Sequence, residues 1–381
     1  MRIIIDITTL LQEQRTGVQR VTWELTKALM EVNKGKHDIK CLMVLPRQVI
    51  IDKEIEKYFA LDRNKLRTIR VPAKVFHWGM KYWQKYGGIK LDQIIGEMDI
   101  YHSFDWFHLP TRAMSTSFIF DMTVKTHPEW QAKDNRKIQE ARLVIIKNKC
   151  SFIFVDSKSA KRDVIRNLGI DKDKLEVIYP GCGTSYCRLG GDDKKVINKY
   201  HLSKRYLLFV GTLEKRKNIP RLIEAYKKLE RGKKEKVDLV LVGKMGNIGQ
   251  EVKRCLEKTV GIKRLGFINE SDLPVIYRKS CGLIYPSLYE GFGMPVLEAM
   301  NCGCPVVTSK TSSMPEVVGR MVKKVDPDSI EEIATGMNWL IELKGRKKRE
   351  MINYGIKRAQ GFSYRKAAVK IIQKWEQIKN G

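Results

Sequence analysis

Residues 206–229 read Tyr206-Leu-Leu-Phe-Val-Gly-Thr-Leu-Glu-Lys-Arg-Lys-Asn-Ile-Pro-Arg-Leu-Ile-Glu-Ala-Tyr-Lys-Lys-Leu229. Five apolar residues, Tyr206–Val210, form a short strand that ends at Gly211. Two adjacent cations, Arg216 and Lys217, follow, and a helix begins near Asn218 and runs to Leu229. Such a strand, loop and helix is one half of a parallel β-crossover unit, and the same alternation recurs on both sides of it.

Downstream, the pattern predicts strands at 237–242, 262–265, 282–285 and 305–308, with helices at 249–257, 273–278, 294–300, 330–343 and 364–379. Upstream, Ile3–Ile7 is a strand and not an export signal, because Asp6 interrupts the apolar run. A helix follows over 18–31, with Val21, Leu25, Ala28 and Leu29 at helical spacing. Strands are predicted at 39–45, 100–102, 117–120 and 151–155. Ser157 reads as the N-cap of a helix to Leu168, and Gly169 as its stop. Tyr179–Gly191 holds one proline, four glycines and no helical period, so the interdomain linker is placed there.

A chain of 381 residues with 43% hydrophobic and 30% charged residues accommodates two buried cores. No apolar run approaches the roughly 18–20 residues that span a bilayer. The eight cysteines lack Cys-x-x-Cys pairs and a histidine cluster, which points to reduced, mostly buried thiols in place of a zinc site. A net charge of +29 attracts polyanions, whether nucleic acid, anionic lipid or phosphorylated substrate. No zinc finger, basic zipper or aromatic RNA-binding strand set is present, so no specific nucleic-acid partner is expected.

Ligands of open parallel sheets gather beyond the carboxyl ends of strands. Three such loops carry suitable residues. Arg216 and Lys217 beside a helix N-terminus suit a diphosphate; the bland reading is a solvated charge run. Pro286-Ser-Leu-Tyr-Glu290-Gly-Phe-Gly-Met-Pro-Val-Leu-Glu298-Ala-Met300 combines a Gly-rich loop with two carboxylates eight apart, suited to sugar or ribose hydroxyls. Arg15-Thr-Gly17-Val-Gln-Arg20 is a weaker candidate phosphate loop. Gly243–Gly249 mimics a dinucleotide fingerprint, but its spacing favours an ordinary strand–helix loop. His102, His108 and His127 read as separate structural histidines. Phe76, Trp78, Tyr82, Trp83 and Tyr86, interleaved with Lys74, Lys81 and Lys85, form either an interfacial helix or a packed amphipathic one.

At these loops the sequence resembles the family 4 retaining glycosyltransferases, closest to bacterial polysaccharide and O-antigen mannosyltransferases. Tyr289-Glu-Gly-Phe-Gly-Met-Pro-Val-Leu-Glu298 matches the family's most specific motif, Val210-Gly-Thr-Leu-Glu-x-Arg-Lys-Asn218 its phosphate loop, and Gly303-x-Pro-Val-Val-Thr-Ser309 the following strand. Thr16-Gly-Val-Gln-Arg20, Tyr101-His-Ser103 and Phe120-Asp-Met-Thr123 carry the subgroup resemblance. It implies a GT-B fold: two Rossmann-like domains facing across a cleft, an acceptor domain over 1–185, a donor domain over 190–361, and a C-terminal helix, 362–381, crossing back to the first.

The resemblance further implies hexose transfer, with mannose from GDP-mannose the best guess, onto a glycan or lipid-linked glycan. No cofactor or metal is expected, no Asp-x-Asp pair standing on a suitable loop. The implied setting is cytoplasmic, peripheral to an anionic membrane surface. Arg216 and Lys217 would hold the diphosphate, with Gly211 and Thr212 beside it. Glu290 and the amides of Gly291, Phe292, Gly293 and Met294 would bind the sugar, Glu298 the ribose, and Phe267 would flank the base. Gly17 and Arg20 would line the acceptor or phosphate loop. Two positions depart from the pattern. Thr212 stands where many relatives have Arg, and Phe120 where many have His, leaving Asp121 to contact sugar or acceptor. The alternatives are a nucleotide-sugar 2-epimerase of the same fold and a non-catalytic polyanion- or nucleic-acid-binding protein.

Overall fold

The structure, a computed structural model, describes residues 1–11, 17–60, 65–86, 88–104, 107–183, 193–229 and 237–380. The chain divides into two units, one of residues 1–181 with 363–381 and one of 182–362.

The first unit holds β1 Arg2–Asp6, α1 Gly17–Asn33, β2 Asp38–Pro46, α2 Lys53–Ala60, β3 Leu66–Val71, α3 Phe76–Tyr86 and α4 Leu91–Ile95. It continues through β4 Ile100–Ser103, β5 Met114–Ile119, α5 Thr123–Thr126, α6 Lys133–Lys149, β6 Phe152–Val155, α7 Lys158–Leu168 and β7 Leu175–Val177. All described strand pairings are parallel, in the order β3-β2-β1-β4-β5-β6-β7. Helices cover both faces, so β4 and β6 are buried at every residue and read as apolar runs without alternation. The caps of α7 fall on Ser157, whose hydroxyl accepts from the Ala160 amide at 2.9 Å, and on left-handed Gly169. A cap of this kind contributes about 1 kcal/mol.

The second unit holds α8 Asp193–Lys199, β8 Tyr206–Val210, α9 Ile219–Lys227, β9 Asp238–Val242, α10 Gln250–Lys258, β10 Ile262–Gly266 and α11 Leu273–Lys279. β11 Gly282–Tyr285, α12 Met294–Asn301, β12 Val306–Ser309, α13 Met314–Val318, β13 Lys323–Val325, α14 Ile330–Glu342 and α15 Gly345–Gln360 complete it. Its sheet is also parallel, in the order β10-β9-β8-β11-β12-β13.

The last helix, α16 Tyr364–Asn380, belongs to the first unit and packs on α1. Its buried Trp375 donates from Nε1 to Thr116 at 3.1 Å, and Glu376 pairs with Lys36 at 2.7 Å and His37 at 2.8 Å. Gly181 lies so close to the Ser363–Tyr364 backbone that a Cβ there would sit 2.3 Å from the Tyr364 nitrogen. The boundary between the two units, after Gly181, falls within the predicted linker Tyr179–Gly191, of which residues 184–191, Cys187 among them, lie outside the described residues.

The sequence reading left several elements unassigned, among them the long helices α6 and α15 and the edge strand β3, which pairs in register with β2. α3 buries Phe76, Met80 and Gln84 along one face and exposes Tyr82 and Tyr86, so it is packed on one side and open on the other. The side chains of Trp78, Lys81 and Lys85 lie outside the described residues. No described helix is long and apolar enough to cross a membrane.

Candidate active site

In the second unit β8 delivers the chain to Gly211, which turns at φ 145°. The neighbouring strand end, Gly243, presses on it: a Cβ at 243 would lie 2.1 Å from the Gly211 carbonyl oxygen. Gly211 N donates to Val242 O at 2.8 Å, and Gly246 N to Leu213 O at 2.9 Å. The Gly243–Gly249 segment is thus the wall of the 211–213 loop, which agrees with its reading as an ordinary strand–helix loop.

Beyond Thr212 the chain makes a single turn at Lys215–Lys217 and reverses at left-handed Asn218, φ 61°. The Asn218 side-chain Nδ2 donates to Pro286 O at 3.1 Å and Pro327 O at 2.6 Å, and the Leu288 backbone amide donates to Arg216 O at 2.8 Å. These bonds zip the 212–218 loop to the 286–290 loop. The two cations consequently meet Glu290. Arg216 Nη1 reaches Glu290 Oε2 at 2.7 Å, Lys217 Nζ reaches Oε1 at 2.5 Å, and Arg216 Nε reaches Glu214 at 2.6 Å. Lys217 also donates to the Tyr285 hydroxyl at 2.5 Å.

Burial pushes the Glu290 carboxyl up, but the Arg216 and Lys217 charges and their hydrogen bonds outweigh it and hold the group at about 2. Burial, with Arg216 close by, pulls Lys217 below its ordinary value in spite of Glu290. The expected phosphate cations and the expected sugar carboxylate thus lie in one charged cluster, in which Arg216 and Lys217 are matched by Glu290 and Glu214. An arriving diphosphate would compete with Glu290 for both cations.

The Glu290 amide donates to Ser312 at 3.1 Å, and the Ser313 hydroxyl donates to the carbonyls of Glu290 and Phe292 at 3.0 and 3.1 Å. Gly293 caps α12 at φ 94°, where a side chain would strike Met314, and Pro295 fits the first turn. Phe292 and Met294 are buried, Phe292 edge-on to Phe362 at 5.5 Å. Glu298, 1% exposed, accepts from the Tyr277 hydroxyl at 3.0 Å and is not among the partners of Glu290 given above. Phe267, after β10, is 53% exposed.

The remaining candidates lie in the first unit. Asp121 follows β5 and lies just before α5, accepting from the Thr123 amide at 2.9 Å and hydroxyl at 2.6 Å. With Phe120, Gln131, Asn135 and Gln139 it lines a cavity of about 230 Å³. Phe120 stacks on Phe118 at 4.6 Å. Gly17 and Arg20 occupy the first turn of α1; Arg15 and Thr16 lie outside the described residues. Tyr285, Ser312 and Ser313 were not singled out in the sequence. The Thr311-Ser-Ser313 run after a strand was the available signal. Among the described residues no group of three or more His, Cys, Asp or Glu is placed to hold a metal ion.

Residues 192–358 match the family model described as glycosyl transferases group 1. The O-antigen chain mannosyltransferase B of Escherichia coli is 32% identical over 284 residues, 73% of this chain and 74% of that protein. The serotype-specific mannosyltransferase WbdA of Escherichia coli is 31% identical over 189 residues, 48% of this chain but 23% of that longer protein. Among solved structures, Anabaena HepE in complex with UDP and glucose aligns over 99% of this chain and 100% of its own, with a TM-score of 0.72 at 17% identity. At that identity the likeness speaks for the fold, which is GT-B.

Proposed function

Because the chain belongs to the group 1 glycosyl transferases, we propose that this glycosyltransferase moves mannose from GDP-mannose, with retention, onto a lipid-linked or otherwise anionic glycan of a cell-surface polysaccharide. The observation that carries the donor half of this reading is the Arg216–Lys217–Glu290 cluster at the carboxyl ends of β8 and β11. The mannose assignment rests on the O-antigen mannosyltransferases it resembles. Those relatives lend no support to the epimerase alternative.

In this reading Arg216 and Lys217 bind the diphosphate and stabilise the charge it gains as the glycosidic C–O bond breaks. The acceptor hydroxyl attacks from the face that the phosphate leaves, and the departing phosphate oxygen takes its proton. Glu290 and the amides of Gly291–Met294 hold the sugar, Glu298 holds the ribose, and Asp121 in the first unit contacts sugar or acceptor. With two cations at the leaving group, no divalent metal is required. The net charge of +29 and the exposed Tyr82 and Tyr86 of α3 support work at the cytoplasmic face of an anionic membrane.

Thermal-shift measurement against a panel of nucleotide-sugars, with and without EDTA, tests this. GDP-mannose should raise the melting temperature most, and EDTA should leave both that shift and turnover unchanged. A larger shift with UDP-glucose reassigns the donor. Turnover abolished by EDTA and restored by Mg²⁺ or Mn²⁺ overturns the metal-independent mechanism.

A further inference from the structure

A second cavity in the first unit, of about 460 Å³, has no part in the sugar-transfer chemistry proposed above. Ser115 near the start of β5 forms part of its wall, whereas Asp121 follows the end of the same strand. Six strand residues separate the two regions by roughly 20 Å. The cavity therefore opens at the amino ends of the strands, away from where open parallel sheets place their substrates.

Its lining combines cations with hydrogen-bond donors. Lys90, Arg112 and Lys149 surround it, and no carboxylate is among the described lining residues. Lys90 and Lys149 form no ion pair among the described residues, and Arg112 reaches only Asp92, at 4.0 Å. Asp92 itself is occupied by the Thr111 hydroxyl at 2.9 Å and the Arg112 amide at 2.7 Å. Gln84, buried in the lining, spends its carbonyl oxygen on the His108 amide at 2.8 Å, while its NH₂ has no hydrogen-bond partner among the described residues. An anion with several acceptor oxygens would meet both the uncompensated charge and the idle donor.

We propose that this cavity binds a phosphate group, at a site separate from that of glycosyl transfer. Two sources carry that chemistry: a soluble phosphomonoester and an anionic lipid headgroup. Tyr86, 63% exposed in the lining, continues into exposed Tyr82, Ile89 and Ile94, an apolar margin that a lipid would also contact. The inference is independent of the donor and acceptor proposed above.

The experiment uses the full chain carrying Arg216→Ala, which weakens phosphate binding at the donor loop, and reads a reporter in the cavity itself. Glycerol 3-phosphate is titrated at constant ionic strength while the Gln84 side-chain amide is followed by NMR, assigned with Gln84→Met. Saturable movement of that resonance is expected, with affinity reduced at least tenfold by Lys90→Ala/Lys149→Ala and unchanged by Lys172→Ala/Lys174→Ala. No saturable shift at Gln84, or an equal loss in both lysine pairs, overturns the site in favour of general charge attraction. Co-sedimentation with phosphatidylglycerol vesicles separates the sources. Loss of vesicle binding in Lys90→Ala/Lys149→Ala, with competition by glycerol 3-phosphate, identifies a lipid headgroup. Unchanged vesicle binding alongside lost glycerol 3-phosphate binding identifies a soluble ligand.

Discussion

The Lys217 ammonium lies 2.5 Å from the carboxylate of Glu290, 73 positions later in the chain, and both side chains are buried. Arg216, the neighbouring cation, bonds the other oxygen of the same carboxylate while keeping 24% of its side chain exposed. Two adjacent residues of like charge thus occupy unequal environments.

That inequality predicts unequal variants. Lys217→Ala leaves a buried carboxylate with one partner fewer and should cost roughly 3–5 kcal/mol of stability. Arg216→Ala leaves Glu290 with Lys217 and should melt closer to the wild type. Its main effect should be a loss of about ten- to a hundredfold in nucleoside diphosphate affinity, the value of a charge-assisted hydrogen bond. Calorimetry and thermal unfolding of both variants check this; equal melting temperatures would refute the asymmetry.

Glu290 and Glu298 should separate kinetically. Glu290→Gln removes a negative charge and should lower kcat, because in the proposed function that carboxylate holds the sugar on which positive charge develops in the transition state. Glu298→Gln should raise the donor KM with kcat little changed, since a ribose contact serves ground and transition states alike. Tyr277→Phe, which deletes the hydroxyl donating to Glu298, should give a smaller change of the same kind. The roles are reversed if Glu298→Gln is the variant that loses kcat.

Acid should destabilise the protein in two windows. Burial, then Arg142, lowers His108 to about 3, and burial, then His108 and Arg142, does the same to His102. Between about 3 and the ordinary value of 6.5 the unfolded chain binds protons that the native state refuses. Stability from these residues is therefore complete above 6.5 and is lost as pH falls, each histidine contributing a slope of roughly 1.4 kcal/mol per pH unit. Glu290, held at about 2 against an ordinary 4.5, adds a lower window: its contribution is complete above 4.5 and disappears as pH falls towards 2. Urea unfolding at stepped pH should show the slope beginning near 6.5, and Glu290→Gln should flatten only the part below 4.5. An unchanged slope there in the variant would remove Glu290 from the account.

Gly243 and Gly293 should differ in whether they can be rescued. Alanine at 243 meets the Gly211 carbonyl, a backbone atom with nowhere to move, at φ 138°. Alanine at 293 meets the end of the flexible Met314 side chain at φ 94°. Gly293→Ala should lose about 1–2 kcal/mol to backbone strain together with a steric cost, and Met314→Ala should relieve the steric part only. No second substitution of a side chain should restore Gly243→Ala. Melting temperatures of the single and double variants decide it.

Much of the fold was legible because its signals are local. A buried parallel strand is a short apolar run between glycines, and Tyr206–Val210 and Gly282–Tyr285 needed nothing more. Ser157 and Gly169 announced α7 through hydrogen-bonding and φ requirements that belong to single residues. α15 gave no such signal. Its buried stripe is Met351, Gly355 and Ala359, two of them too small to register as hydrophobic periodicity. α6 buries only Arg142, Leu143 and Ile146, and Arg142 reads as a surface charge. The fold buries it against the carbonyls of Phe104 and Phe118, supplied by segments 38 and 24 residues away.

The sequence by itself determined the α/β alternation, the two sheets and the loops that carry Arg216, Lys217, Glu290 and Glu298, because strand period, caps and glycine punctuation act within a few residues. Only the tertiary structure decided the strand orders, the union of both cations with Glu290, the separation of Glu298 onto Tyr277, and the idle amide of Gln84 beside Lys90 and Lys149. Those are pairings between residues far apart along the chain. Their energies depend on burial and on which partner arrives, and neither is encoded in any local stretch.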